Sequence, residues 1–481
     1  MSKYYVTTSI PYVNAEPHIG FALELVIADV LARYAAKQGD EVIFSTGTDE
    51  HGGKIAEKAA EKGVSPKEFA DQISERFQGL SELLNVSNNR FIRTTDPGHE
   101  QRAAVIWETM KKDIYKSSYI GWYCTGDEAF FTDTEVKELG GVCPNHNRPF
   151  EKVEEENYFF KLSAYEGKIL KAINSGKFVI LPETKRNEIV SLIKSGLEDI
   201  SVSRPKDKIS WGIPVPNDPD QVMYVWFEAL MNYITVLGYP ENEDFKNYWP
   251  ASVQVIGKDI IRFHAAIWPA MLLSLGIELP KKLYVHGFIT IDDKKISKSI
   301  GNVIHPKDIV DKYGVDAFRY YFLRHIPSYE DGNFSWDRLE SAYNNELANE
   351  LGNALQRSLT MAEKYLDGSL KDKPVADHDT TRYTDAIEAC RFDRALDEVW
   401  EHLRGLNQYI DEEKPWKIDK EKDNEHLVEV ISHMLGTLDM LADLLLPFLP
   451  DTSKRMKDLL NAPKLAPPEQ TLFPKADVRK T

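Results

Sequence analysis

The chain has 481 residues, 42% of them hydrophobic and 28% charged, with a formal net charge of −17 and three cysteines. This is globular composition at a length suited to about two to four domains, and so few cysteines exclude a disulfide framework. The acidity argues against general affinity for nucleic acid while leaving room for a local basic track. No run of about 18 apolar residues occurs, so no membrane span is expected. The most apolar stretch, "MLGTLDMLADLLLPFLP" (434–450), carries Asp439 and Asp443 and reads as a buried helix. The opening "MSKYYVTTSIPYV" has no apolar signal core, which predicts a cytoplasmic protein.

In chain order, "YYVTTSI" is β-rich, and a helical pattern follows over about 18–38. Leu25, Ala28, Val30, Leu31 and Tyr34 share the inward face of that helix, and Gly39 is its natural stop. "EVIFSTGTDEHG" reads as a buried strand at 42–45 opening into a polar loop. Strand, helix, strand in this order predicts a βαβ unit and a parallel sheet. Further helices fit 65–84 and 98–112. From about 115 to 208 paired aromatics, glycine turns and the acidic run 151–156 mark an insertion. Sheet-like sequence returns in "VMYVWFEAL" (222–230), "SVQVIGKDI" (252–260) and "KLYVHGFIT" (282–290). Beyond Trp336 three long segments with apolar residues three and four apart predict a helical bundle. The last stretch, 462–481, is rich in Pro and Lys and is expected to be loosely held.

Two segments suggest chemistry. "PYVNAEPHIGFALE" (11–24) sets Pro-His-x-Gly where a strand gives way to a helix. In a doubly wound sheet ligands bind beyond the strand ends, and a helix start offers N–H groups and partial positive charge to phosphate. His18 can donate to the same anion, and Gly20 lets a flat base approach the backbone. Alone, this reads as a histidine cap on a tightly packed helix. "DDKKISKSIGN" (292–302) follows a strand about 280 residues on. Lys295 and Lys298 can converge on one polyphosphate, Ser297 and Ser299 add donors, and Gly301 permits movement. Alone, such a run is usually a solvated loop.

Together, "HIGF" and "KISKS" resemble the two signatures of the class I aminoacyl-tRNA synthetases. "SIPYVNAEPHIG", "TGTDEHG", "MYVWFEALMNYI", "IGKDIIRFHAAIWPAML", "KISKSIGNV" and "DAFRYYFLR" resemble the methionyl-tRNA synthetase family, in its order, over nearly the whole chain. The resemblance implies an α/β protein: a Rossmann-type parallel-sheet catalytic domain (residues 1–114 and 215–290) interrupted by a connective domain (115–214). A signature-loop and stem-contact region (291–340), an all-α anticodon-binding bundle (341–461) and a tail (462–481) follow.

The same resemblance implies that methionine and ATP form methionyl-adenylate, which is passed to the 3′ end of tRNA(Met), with Mg²⁺ accompanying ATP. It assigns His18, Lys295 and Lys298 to catalysis. ATP would meet Asn14, His18, Gly20, Phe21, Glu24, Gly257, Asp259, Gly287, Lys295, Ser297 and Lys298. Methionine would be lined by Ile10, Pro11, Tyr12, Asp49, Trp226, Ala229, Leu230, Tyr233, Ile260, His264 and Trp268. Asp49 would hold the ammonium; Tyr233 and the Ile10 N–H would meet the sulfur. Asn353, Arg357 and Trp416 would read the CAU anticodon, with bases stacked on rings and hydrogen-bonded by Asn and Arg.

Phe21 stands where the family has a second histidine. Losing one charge-assisted hydrogen bond costs about 1.5–3 kcal/mol; otherwise Phe21 closes the pocket by packing while another group donates. Cys124, Asp127, Cys143 and His146 have zinc-knuckle spacing. Asp127 is a poorer ligand than the family's Cys or His, so a structural zinc is not expected. The insertion of about 90 residues is too small for the editing domains of leucyl-, isoleucyl- and valyl-tRNA synthetases. A small-molecule nucleotidylyltransferase and a non-catalytic tRNA-binding relative remain as alternatives. Because the sequence stops soon after the bundle, a monomer is expected.

Overall fold

The structure is a computed structural model that describes residues 2–126, 129–144, 147–291, 294–295, 303–369 and 379–475. It divides into two compact units. The first comprises residues 1–17, 40–80 and 88–285; the second comprises 18–39, 81–87 and 286–481.

The centre of the first unit is a six-stranded sheet. Its order is Arg90–Arg93, Glu41–Thr48, Lys3–Thr7, Val253–Gly257, Lys282–His286, Val179–Leu181. Lys3–Thr7 pairs in parallel with Glu41–Thr48 on one side (Val6 opposite Phe44) and with Val253–Gly257 on the other (Val6 opposite Val253). The chain therefore steps outward from Lys3–Thr7 in one direction and later returns to its other flank. Open sheets of this kind bind ligands beyond the strand ends at such a reversal. Val6, Phe44, Val253 and Val255 are buried, as expected of strands covered on both faces.

Two expectations need correction. The stretch 222–230 is not a strand of the parallel sheet. Asp218–Met223 pairs antiparallel with Ser203–Pro205 in a separate three-stranded sheet, and Val225–Ala229 is a short helix. A continuous apolar run does not distinguish a buried strand from a buried helix. Val179–Leu181, inside the stretch read as an insertion, is the edge strand of the parallel sheet, pairing with Lys282–His286. Much of the rest of that stretch builds a four-stranded antiparallel sheet around Ile114–Cys124 and Glu151–Phe160, with helices Glu166–Asn174 and Glu183–Lys194.

In the second unit, helix Ile19–Lys37 lies with helix Val315–Arg324 and the C-terminal helices Phe392–Glu413, Asn424–Leu445 and Pro450–Leu460. The fully buried Arg319 organises their junction. It donates to the carbonyls of Phe448 at 2.6 Å, Pro447 at 3.0 Å and Leu84 at 3.2 Å, and pairs with Asp29 at 2.6 Å. Carbonyls just past a helix end have no intrahelical partner, and the guanidinium fork supplies one. Burial opposes the Asp29 charge, but Arg319 and Arg33 outweigh it and hold this carboxyl below the usual range. Removing one partner from such a buried pair costs about 3–5 kcal/mol.

Candidate active site

In the first unit, the turn after Lys3–Thr7 and the loop after Glu41–Thr48 run side by side. Tyr12 and Asp49 form an isolated parallel bridge, with the Asp49 N–H donating to Pro11 O at 2.9 Å and the Val13 N–H to Asp49 O at 3.1 Å. The Asp49 backbone is thus fixed beside Pro11 and Tyr12, and the residue is 4% exposed. Its neighbour Glu50 is locked by Arg93 at 2.7 and 2.8 Å and by the Thr48 hydroxyl at 2.6 Å.

Beyond Val253–Gly257 the chain makes a single 3₁₀ turn, Lys258–Ile260, and then a π-helical turn, Phe263–Ile267, that leads into helix Trp268–Leu275. Such wide turns occur mostly at functional sites, because they re-aim side chains out of α-helical register. Here the turn carries Phe263 and His264. The Phe263 ring stacks on Trp226, with centroids 4.2 Å apart and planes at 15°. His264 contacts Ile260 O through Nδ1 at 2.9 Å and the Tyr233 hydroxyl through Nε2 at 2.7 Å. Ile260 O can only accept, so Nδ1 carries a proton, and the neutral ring receives the Tyr233 proton at Nε2. Tyr5 fixes the same corner, its hydroxyl donating to Tyr233 O at 2.9 Å. Trp268, fully buried, closes the base 5.7 Å from the Tyr233 ring. Tyr233, His264, Trp226, Trp268, Leu230, Ile260 and Tyr12 belong to or pack against one continuous core cluster, His264 through its bond to Tyr233. These residues make an apolar, aromatic cluster with few polar groups, the chemistry that suits a thioether side chain.

Asn14 is half-buried in the same turn, its N–H on Tyr12 O at 2.8 Å. Gly257 ends its strand buried, and Asp259 is exposed on the turn that follows.

In the second unit, His18 caps helix Ile19–Lys37. Its Nδ1 accepts the Gly20 N–H at 3.0 Å. A Cβ on residue 20 would lie 2.8 Å from the His18 ring, so the His-x-Gly spacing is what lets the imidazole fold over the helix start. With Nδ1 accepting, the neutral ring carries its proton on Nε2, the atom that can donate to an anion. Phe21 is half-buried on the first turn. Glu24, one turn further and buried, meets His286 Nε2 at 2.9 Å. Gly287 has a reason beyond ligand access: a Cβ there would sit 2.2 Å from Glu330 O. Ser297 and Lys298 lie outside the described residues, and Lys295 is described only as part of the two-residue strand Lys294–Lys295.

At the bundle, Asn353 opens helix Asn353–Leu366 and is exposed. Arg357 lies over the exposed Trp416 ring at 5.9 Å and pairs with Asp411 at 3.3 Å. Cys124 and Cys143 are buried together with Val136 and Phe150; Asp127 and His146 lie outside the described residues.

Residues 4–150 and 146–359 match the family described as "tRNA synthetases class I (M)". Residues 359–474 match the "Anticodon binding domain of methionyl tRNA ligase". The chain belongs to the methionyl-tRNA synthetase family. The methionine–tRNA ligase of Caldanaerobacter subterraneus subsp. tengcongensis is 45% identical over 474 residues, covering 95% of this chain and 74% of that protein. That of Brucella melitensis biotype 1 is 42% identical over 483 residues, 96% of this chain and 92% of its own length. The structure of Mycobacterium tuberculosis methionyl-tRNA synthetase in complex with methionyl-adenylate matches with a TM-score of 0.92 at 39% identity, covering 98% of this chain and 100% of that one. As in other class I synthetases, the fold is a parallel sheet followed by a helical anticodon-binding region. Among the described residues no helix is long and apolar enough to cross a membrane.

Sequence reasoning missed His51, His99 and Glu228. His51 Nδ1 contacts Glu228 at 2.8 Å, and His99 Nε2 contacts the other Glu228 oxygen at 2.9 Å. Burial works against the His51 charge, but Glu228, Glu100 and Asp49 overcome it and raise its pKa to about 10. The available signal was a carboxylate inside an apolar run, "VWFEAL", which needs a buried partner.

Proposed function

We propose that the protein is a methionine–tRNA ligase: it activates L-methionine with ATP to methionyl-adenylate and transfers the methionyl group to the 3′ end of tRNA(Met). The carrying observation is the match along almost the whole chain to a structure solved with methionyl-adenylate.

In this reading the methionine ammonium meets Asp49, and its thioether enters the pocket formed by Ile10, Pro11, Tyr12, Trp226, Ala229, Leu230, Tyr233, Ile260, His264 and Trp268. The carboxylate attacks the α-phosphorus of ATP, the bond to the bridging oxygen breaks, and pyrophosphate leaves. No side-chain nucleophile is required, so catalysis is positioning and charge stabilisation. His18 Nε2–H and the helix start, with Lys295, Ser297 and Lys298, stabilise the polyphosphate. Asn14, Gly20, Phe21, Gly257 and Gly287 border the nucleotide, and Glu24 and Asp259 meet its ribose or adenine edge. Mg²⁺ enters with ATP as part of the substrate. The terminal adenosine hydroxyl then attacks the adenylate carbonyl and AMP departs. Asn353, Arg357 and Trp416 read the CAU anticodon, and the protein acts as a cytoplasmic monomer.

Methionine-dependent ATP–pyrophosphate exchange, followed by charging of tRNA(Met), tests the reading. Exchange without tRNA and charging with it are expected. Exchange with no tRNA charging would favour a small-molecule nucleotidylyltransferase, and neither activity would favour a non-catalytic RNA-binding protein.

A further inference from the structure

Glu228 is fully buried and faces two histidines. Its Oε1 meets His51 and its Oε2 meets His99, while His99 Nδ1 reaches the Thr235 hydroxyl at 2.8 Å. Glu100 lies 3.6 Å from His51 Nε2, and Trp211 packs its ring 5.4 Å from the His51 ring. His51 is two residues after Asp49. Glu228 stands between Trp226 and Ala229. Thr235 is two residues after Tyr233. One carboxylate therefore ties together the three chain segments that carry the two ends of the amino-acid pocket.

The carboxylate adds a charged tie to segments that Tyr5, the Glu50–Arg93 pair and apolar packing also hold. Val225–Ala229 and Asn232–Thr235 are helices of 5 and 4 residues, too short for backbone hydrogen bonding alone to hold their rotation. A buried ionic cluster is a poor source of stability compared with apolar packing, and its best-attested use is to fix register.

We propose that Glu228, clamped by His51 and His99, is a positioning residue that sets the distance between the Asp49 carboxylate and the Tyr233–His264 corner, and thereby the length of side chain that is activated. The proposal rests on the functional reading above. The three side chains stay behind the pocket wall and act through Asp49, Trp226 and Tyr233.

The experiment is pyrophosphate exchange with L-methionine and with L-ethionine, one methylene longer. One methylene is worth roughly 10- to 200-fold in a fitted apolar pocket. Glu228→Gln is expected to raise the methionine KM about tenfold, to leave the ATP KM within about twofold, and to narrow the methionine-to-ethionine ratio of kcat/KM at least about fivefold. His99→Gln, whose amide can still donate to Glu228, is expected to keep that ratio, whereas His99→Leu narrows it. This pair decides the matter if Glu228→Gln fails to fold. A folded Glu228→Gln protein with unchanged methionine KM and unchanged selectivity overturns the proposal. So does a fall in kcat common to both amino acids without loss of discrimination, or equal selectivity in the two His99 variants. If the unmodified protein shows no methionine-dependent exchange, the functional reading fails instead.

Discussion

Asp49, Tyr233 and His264 are buried and, with Glu50 and Tyr5 behind them, held in place before any ligand arrives, whereas Asn353 and Trp416 stand exposed at the bundle surface. On the proposed amino-acid side, polar groups are oriented by other protein groups, as in Tyr233–His264–Ile260. At the bundle, Arg357 shares itself between Trp416 and Asp411. A small ligand has little surface with which to order its site, so the fold must order it in advance. An RNA loop brings enough contacts to organise side chains as it docks.

The contrast can be broken or sharpened by mutation. Asp49→Ala should have the largest effect. Removing the partner of a buried ammonium costs about 3–5 kcal/mol, roughly a hundred- to five-thousandfold in kcat/KM for methionine-dependent exchange; an unchanged value would place the ammonium elsewhere. Next comes the pH response of the buried cluster. His51 titrates far higher in the folded state, about 10, than its ordinary 6.5. Its contribution is therefore complete below pH 6.5 and is lost as pH rises through 10. Between pH 7 and pH 9 the wild type should lose on the order of 2 kcal/mol of unfolding free energy relative to His51→Gln. Parallel pH curves from urea melts would deny the cluster its charge. Trp416→Ala should lower kcat/KM for tRNA charging by the worth of one stacked base, about 1–3 kcal/mol, and leave tRNA-independent exchange unchanged. Charging should also weaken as salt rises. Smallest is Tyr233→Phe, which strands the His264 acceptor at about 1–2 kcal/mol and should raise the methionine KM near tenfold while sparing the ATP KM. Equal effects on both substrates would mean that the corner is only structural.

The strand-to-helix turn was readable from sequence because its signals are local. An N-cap histidine, a close glycine and a helical apolar face sit within twenty residues, and the helix runs Ile19–Lys37 against an expected 18–38. The parallel sheet was readable in outline from alternating strands and helices. What escaped notice is non-local. Glu228 meets partners 177 and 129 residues away, and no spacing rule joins "TDEHG", "DPGHE" and "FEAL" without the fold. The 222–230 run misled because apolar content alone does not set a period, and Tyr224 caps a helix where the apolar run suggested a strand. Val179–Leu181 is three residues long, too short for any periodic signal.

Arg319 sets a boundary on how this protein can be divided. Its guanidinium is satisfied jointly by the carboxylate of the helix that His18 begins and by main-chain oxygens just past the end of Asn424–Leu445. Cutting the chain ahead of Pro447 would strand an ion in the interior instead of releasing an intact module. A helix bundle excised or grafted at the usual linker-seeking positions must carry Ile19–Lys37 with it, so protein engineers should treat those distant stretches as one inheritance.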